Sequence, residues 1–131
     1  MTLKRLLILQ VIYALLGVGY NVVSHLIVSG GGQALSATVP VVGGAFMLGY
    51  GIALIPGFFK KVVPYRLLMG AAIIIFGYGG IVTHILNASE GHMESYSSVT
   101  AWILAVGINV FGLIWNIWAV SGKFSINGKE Q

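Results

Sequence analysis

From Leu6 to Val28 the chain runs 23 residues without a charged side chain. At a rise of about 1.5 Å per residue, a helix of that length crosses the ~30 Å hydrocarbon core of a bilayer. Three further uncharged runs follow, over 34–59, 67–88 and 99–120. Each is again long enough to cross. The expected fold is therefore an all-α integral membrane protein, a bundle of four transmembrane helices in one domain with spans at 6–28, 34–59, 67–88 and 99–120 and a short tail over 121–131. Composition agrees, since 57% of the residues are hydrophobic and 8% charged, against about 25% charged in soluble domains. A soluble fold of this size leaves roughly a third of its unfolded surface in water and could not hide so much apolar area. The first run exceeds the about 7–15 apolar residues of a signal peptide, so it reads as an uncleaved anchor.

The seven basic residues fall in three places: Lys4 and Arg5, then Lys60, Lys61 and Arg66, then Lys123 and Lys129. With four spans, all three lie on one side. That side should be cytoplasmic, as positive charge is retained there, which puts both termini inside a bacterial plasma (inner) membrane. The opposite side holds Glu90 and Glu94 and no basic residue. The net charge of +4 is thus a topology signal and not a nucleic-acid footprint. The expected partners are the lipid bilayer and a homo-oligomer or larger membrane complex. Trp102, Trp115 and Trp118 lie near the ends of the fourth run, where indole rings favour the headgroup level.

Two stretches 59 residues apart resemble each other, Val22-Val23-Ser24-His25-Leu26-Ile27 and Ile81-Val82-Thr83-His84-Ile85-Leu86. Gly44 and Gly49 match Gly107 and Gly112 at an offset of 63. This pattern predicts two tandem, parallel helical-hairpin repeats related by an axis along the membrane normal; chance alignment of apolar runs is the competing explanation. At 100° per residue, Gln10, Tyr13, Gly17, Asn21, Ser24 and His25 share one face of the first helix, and Gly70, Gly77, Gly80, His84 and Asn87 one face of the third. Small residues allow close helix approach and amides bond across helices. These faces, with Asn109 and Asn116, should form the interior. The expected pocket is lined by Asn21, Ser24, Thr83, Asn87, Gly77, Gly80 and Asn109, and opens outward beneath a lid formed by the loop 89–98.

No Asp, Glu, Lys or Arg lies inside a span, which disfavours proton relays and membrane-embedded carboxylate chemistry. Hydrolase, nucleotide and zinc-protease motifs are absent, as is cysteine. Ser24 and His25 are adjacent and diverge on a helix, so they are not a nucleophile and base pair. His25 and His84 should sit at equal depth near the outer edge of the core, below Glu90, His92 and Glu94. Imidazole and carboxylate suit a divalent cation. Two histidines could instead ligate a b-type haem, but its propionates would meet glutamates and no base. Both readings compete with plain interfacial histidines. Three classes of function follow: a non-catalytic subunit or transport-associated, ligand-binding component; a histidine-ligated cation or haem redox component; and a lipid-facing enzyme. The first is preferred.

Overall fold

The computed structural model describes residues 1–127, which leaves Lys129 and the rest of the expected tail outside the described residues. The described chain is helical with no strands, and four helices are long and apolar enough to cross a membrane: α1 (Leu3–Ser29), α2 (Pro40–Phe58), α3 (Val62–Ser89) and α4 (Val99–Ser121). α2 breaks at Leu54 into Pro40–Ala53 and a last turn, Ile55–Phe58.

Two boundaries differ from expectation. α2 starts six residues later than position 34, because Pro40 occupies the first helical turn, where a missing N–H costs nothing. The stretch before it is a loop whose Ser36 is buried. α3 starts at Val62, five residues before position 67. Pro64 falls in its first turn and is tolerated for the same reason, which brings Arg66 onto the helix.

Side chains close the helix ends. Thr2 Oγ1 accepts from the Arg5 N–H (3.2 Å) and Ser98 Oγ from the Ala101 N–H (3.0 Å), each satisfying an orphan donor of a first turn. At the end of α4, Gly122 takes the left-handed conformation (φ 71°). Arg66 donates from Nε (3.0 Å) and Nη2 (2.6 Å) to the Val120 carbonyl, one of the last-turn acceptors left open. The start of the chain meets the segment after α4 here too, as Leu3 N–H donates to Ser125 O (2.8 Å) and Ser125 N–H to Met1 O (3.0 Å). Lys60 Nζ reaches Asn127 Oδ1 (3.1 Å). This is the basic end of the bundle.

α1 packs against α2 and α4, and α3 against α4, while α2 and α3 meet sparsely. The core therefore gathers around α1 and toward the basic end, where Leu6, Leu7, Tyr13, Leu54, Tyr65 and Met69 are enclosed. Gln10, Tyr50, Tyr65 and Asn116 supply one polar group from each helix. Tyr65 O–H donates to Gln10 Oε1 (2.6 Å), Tyr50 O–H to Asn116 Oδ1 (2.7 Å), and Gln10 Nε2 to Asn116 Oδ1 (3.1 Å) and Met69 Sδ (3.1 Å). Outward faces are apolar, with Leu15, Leu67 and Ile74 at 66%, 71% and 73% exposure. Of the tryptophans, Trp102 donates to His84 O (2.9 Å) and Trp118 to Lys123 O (2.8 Å).

Gly77 and Gly80 were both expected at a helix contact, and their environments differ. A Cβ at Gly80 would lie 2.8 Å from Asn109 Nδ2, whereas one at Gly77 would meet only Leu113 Cδ1 at 3.9 Å. Gly80→Ala should therefore cost about 1–3 kcal/mol by overpacking, and Gly77→Ala should gain up to about 1 kcal/mol by stiffening the helix. Thermal melting in one detergent checks the pair. Equal midpoints would show that the α3–α4 contact is drawn wrongly.

Candidate functional site

α3 carries a π-helical segment at Tyr78–Val82, marked also by Thr83 Oγ1 donating to the Tyr78 carbonyl five residues back (3.1 Å). Such a turn holds one extra residue and shifts the inward face by one position. Before it, α1 and α3 bury matching positions at the offset of 59: Leu6 and Tyr65, Gln10 and Met69, Tyr13 and Ala72. After it the match slips. α1 buries Ser24 at 1% exposure, but α3 buries His84 at 4%, one residue beyond the counterpart of Ser24.

The expectation that both histidines face one interior is thereby corrected. His25 is exposed, and His84 is enclosed. Ser24 Oγ accepts from the Leu35 N–H (2.9 Å) and fastens the loop before α2. The neighbouring position, 100° round the helix, points away. The loop acids stand apart as well. Glu90, His92 and Glu94 are exposed, with His92 Nδ1 3.3 Å from Glu94 Oε1 and Nε2 4.0 Å from Glu90 Oε2. Glu94 is held below the usual carboxylate range by its backbone hydrogen bond and then by His92. Among the described residues no three His, Cys, Asp or Glu side chains converge as metal ligands. The geometry expected for a shared cation, or for a haem held axially by His25 and His84, is not formed.

His84 instead belongs to a different constellation. Its Nδ1 lies 2.6 Å from the Tyr96 hydroxyl, which also takes a hydrogen bond from Asn87 Nδ2 (3.3 Å). The rings meet edge-on at 5.6 Å. His84 lines a cavity of about 550 Å³ in the half of the bundle away from the basic end, where α2 and α3 diverge. Asn21, Gly80, Thr83 and Asn109 line it, and Ser24, Gly77 and Asn87 do not. The loop that reaches it is the one before α2, through Ser36 and Thr38; the loop 89–98, expected as a lid, contributes only Tyr96 from behind His84. A second hollow of about 410 Å³ runs on toward the basic end, sharing Phe46, Ile75 and Phe76 with the first and lined by Ala45, Gly49, Ala53 and Leu68. Together they make one groove between α2 and α3. Its rims, Val42 and Phe46 on one side and Ile75 and Tyr78 on the other, are exposed. The groove thus opens sideways.

Three polar groups in the groove donate to backbone carbonyls: Asn21 to Gly17 (2.8 Å), Asn109 to Ala105 (2.9 Å) and Tyr20 to Ala101 (2.8 Å). Asn109 Oδ1 accepts from Tyr13 O–H (2.9 Å). His84 Nε2 has no partner among the described residues. The sequence reading passed over Tyr96 and Tyr20. A tyrosine among loop serines, 12 residues past a histidine on a helix, was the available sign for Tyr96.

Fold and site define an all-helical chain, with four helices long and apolar enough to cross a membrane and a side-opening groove between two of them. Comparison with protein-family models, with curated proteins and with solved structures finds no match.

Proposed function

We propose that this is an integral membrane protein that binds an amphipathic small molecule in the groove between α2 and α3, acting as a non-catalytic, transport-associated or ligand-holding component of a plasma membrane. The groove itself carries the reading. Its main cavity of about 550 Å³ falls in the size range of small-molecule sites, with apolar walls and a few polar groups at one end. Its lateral mouth gives access from lipid, since the exposed apolar faces of α2 and α3 would lie in the hydrocarbon layer. The groove is lined by no carboxylate, lysine or arginine. Binding is therefore favoured over hydrolysis or proton relay. Retention of positive charge on the cytoplasmic side orients both termini inward and the His84 half outward.

Two glycines allow the groove to be filled without disturbing the fold. A Cβ at Gly79, in the main cavity, or at Gly49, in the second hollow, meets nothing within 4 Å. Gly79→Leu and Gly49→Leu should melt like the parent. Each should also lower the amount of lipophilic small molecule retained through purification by about tenfold, measured by native mass spectrometry from detergent micelles. Retention unchanged in both variants, or no retained molecule in the parent after gentle extraction, would overturn the proposal.

A further inference from the structure

We infer that the polar end of this groove is a hydrogen-bond-donating head site, in which His84 Nε2–H takes a carbonyl oxygen of a neutral lipid with a single apolar chain. The inference rests on the binding function proposed above and specifies its ligand. A tyrosine hydroxyl has one proton and two lone pairs, and a neutral imidazole one donor and one acceptor. Asn87 Nδ2 donates to the Tyr96 oxygen at 3.3 Å, and His84 Nδ1 lies 2.6 Å from it on the other side. Were Nδ1 the protonated nitrogen, Tyr96 would accept from both sides and its own proton would have no acceptor among the described residues. With the Tyr96 O–H donating to Nδ1, every group in the chain Asn87, Tyr96, His84 is used. Nε2, the ring nitrogen not engaged by Tyr96, then carries the hydrogen, and His84 lines the cavity.

A donor selects an acceptor. Asn21, Asn109, Tyr20 and Thr83 each donate once to a backbone carbonyl, and His84 adds a ring N–H whose other nitrogen is already held by Tyr96. The head must also be neutral. All described lysines and arginines lie at or near the basic end and none lines the groove, so a phosphate or carboxylate would be desolvated without a counter-charge. The tail follows from shape. The second hollow continues from Phe46 and Phe76 along the small residues Ala45, Gly49 and Ala53, a narrow apolar path suited to one chain. Ketone and ester carbonyls share this chemistry, in a quinone ring and in a monoacylglycerol.

The test uses the whole protein in detergent with four probes: decylubiquinone, its reduced quinol, monoolein and 1-bromododecane. The expected result is that a carbonyl probe binds with its C=O infrared band shifted to lower frequency, and that the quinol, whose head donates, binds about tenfold more weakly than the quinone. A shift with the quinone alone assigns a ring ketone, and with monoolein alone an ester. His84→Phe should weaken carbonyl binding about tenfold and abolish the band shift, while His84→Gln, which keeps an N–H, should retain part of both. Tyr96→Phe frees the tautomer and should narrow the quinone to quinol ratio toward one, a change that loss of packing alone would not produce. The donor assignment is overturned if the quinol binds as well as the quinone, or if the band shift persists in His84→Phe. Should 1-bromododecane bind, be excluded by Gly79→Leu, and match the carbonyl probes in affinity, the groove stands and the head site falls. Should none of the four bind, both readings fall.

Discussion

Leucine in place of Gly112 should prevent the bundle from accumulating in folded form, and even Gly112→Ala should cost about 3 kcal/mol. A Cβ there would lie 2.5 Å from Cε1 and Cε2 of the Tyr13 ring. That ring has nowhere to go. Tyr13 is fully enclosed, meets Tyr50 edge-on at 4.9 Å and Phe76 at 6.0 Å, and is fastened through its hydroxyl to Asn109. Gly17→Ala meets the flexible Met47 instead, and Gly107→Ala meets nothing within 4 Å. Unfolding in mixed micelles by added SDS should rank the variants in that order, with Gly112→Ala lowest and Gly107→Ala at or above the parent. If Gly112→Ala unfolds with Gly107→Ala, the packing of α1 on α4 is wrong.

The other large effect should come from Gln10, which touches three partners and is 0% exposed. Its side chain accepts from Tyr65 and donates to Asn116 and Met69, linking α1 to α3 and α4. Gln10→Ala opens a cavity of nearly the whole side chain, at about 2–5 kcal/mol for comparable truncations. It also strands the Tyr65 hydroxyl, and each lost bond between membrane helices adds about 0.6 kcal/mol. Gln10→Met keeps the volume and loses the polar contacts, so it should cost only about 1–2 kcal/mol. The same unfolding series separates packing from hydrogen bonding. A Gln10→Ala protein as stable as its methionine counterpart would show that the glutamine is not tightly packed.

The four helices were legible because partition between lipid and water is written in composition: the uncharged runs and the clustering of basic residues are visible without any contact. Their ends were read less well. Pro40 and Pro64 both fall in first turns, and which side of each proline starts the helix depends on first-turn hydrogen bonding and not on hydropathy. On α1, the periodicity gathered Gln10, Tyr13, Gly17 and Ser24, all of which are buried. It also gathered His25, because a 100° step is coarse against a wide stripe. Tyr50 and Tyr65 went unread, as a tyrosine in an apolar run looks like any interfacial aromatic until the amide it serves is beside it. The π segment was invisible for another reason. Gly79-Gly80 reads as a small-residue contact surface, and the widening of a turn leaves no periodicity of its own.

That widened turn bears on how such a site could arise. One turn wound as π in place of α, with no strand, loop or cofactor motif supplied, is geometrically enough to rotate everything beyond it by about 100° relative to a regular helix of the same sequence. His25 and His84 stand in near-identical local sequences, yet one looks out of the bundle and the other is locked against Tyr96 inside it. No insertion separates them, since the offset of 59 holds in sequence on both sides of the turn; the difference is one of conformation. Two chemically equivalent stretches become unequal in this way without either acquiring a new side chain, and a regular α turn at 78–82 with the same sequence would carry His84 off the buried face to the place His25 holds on α1.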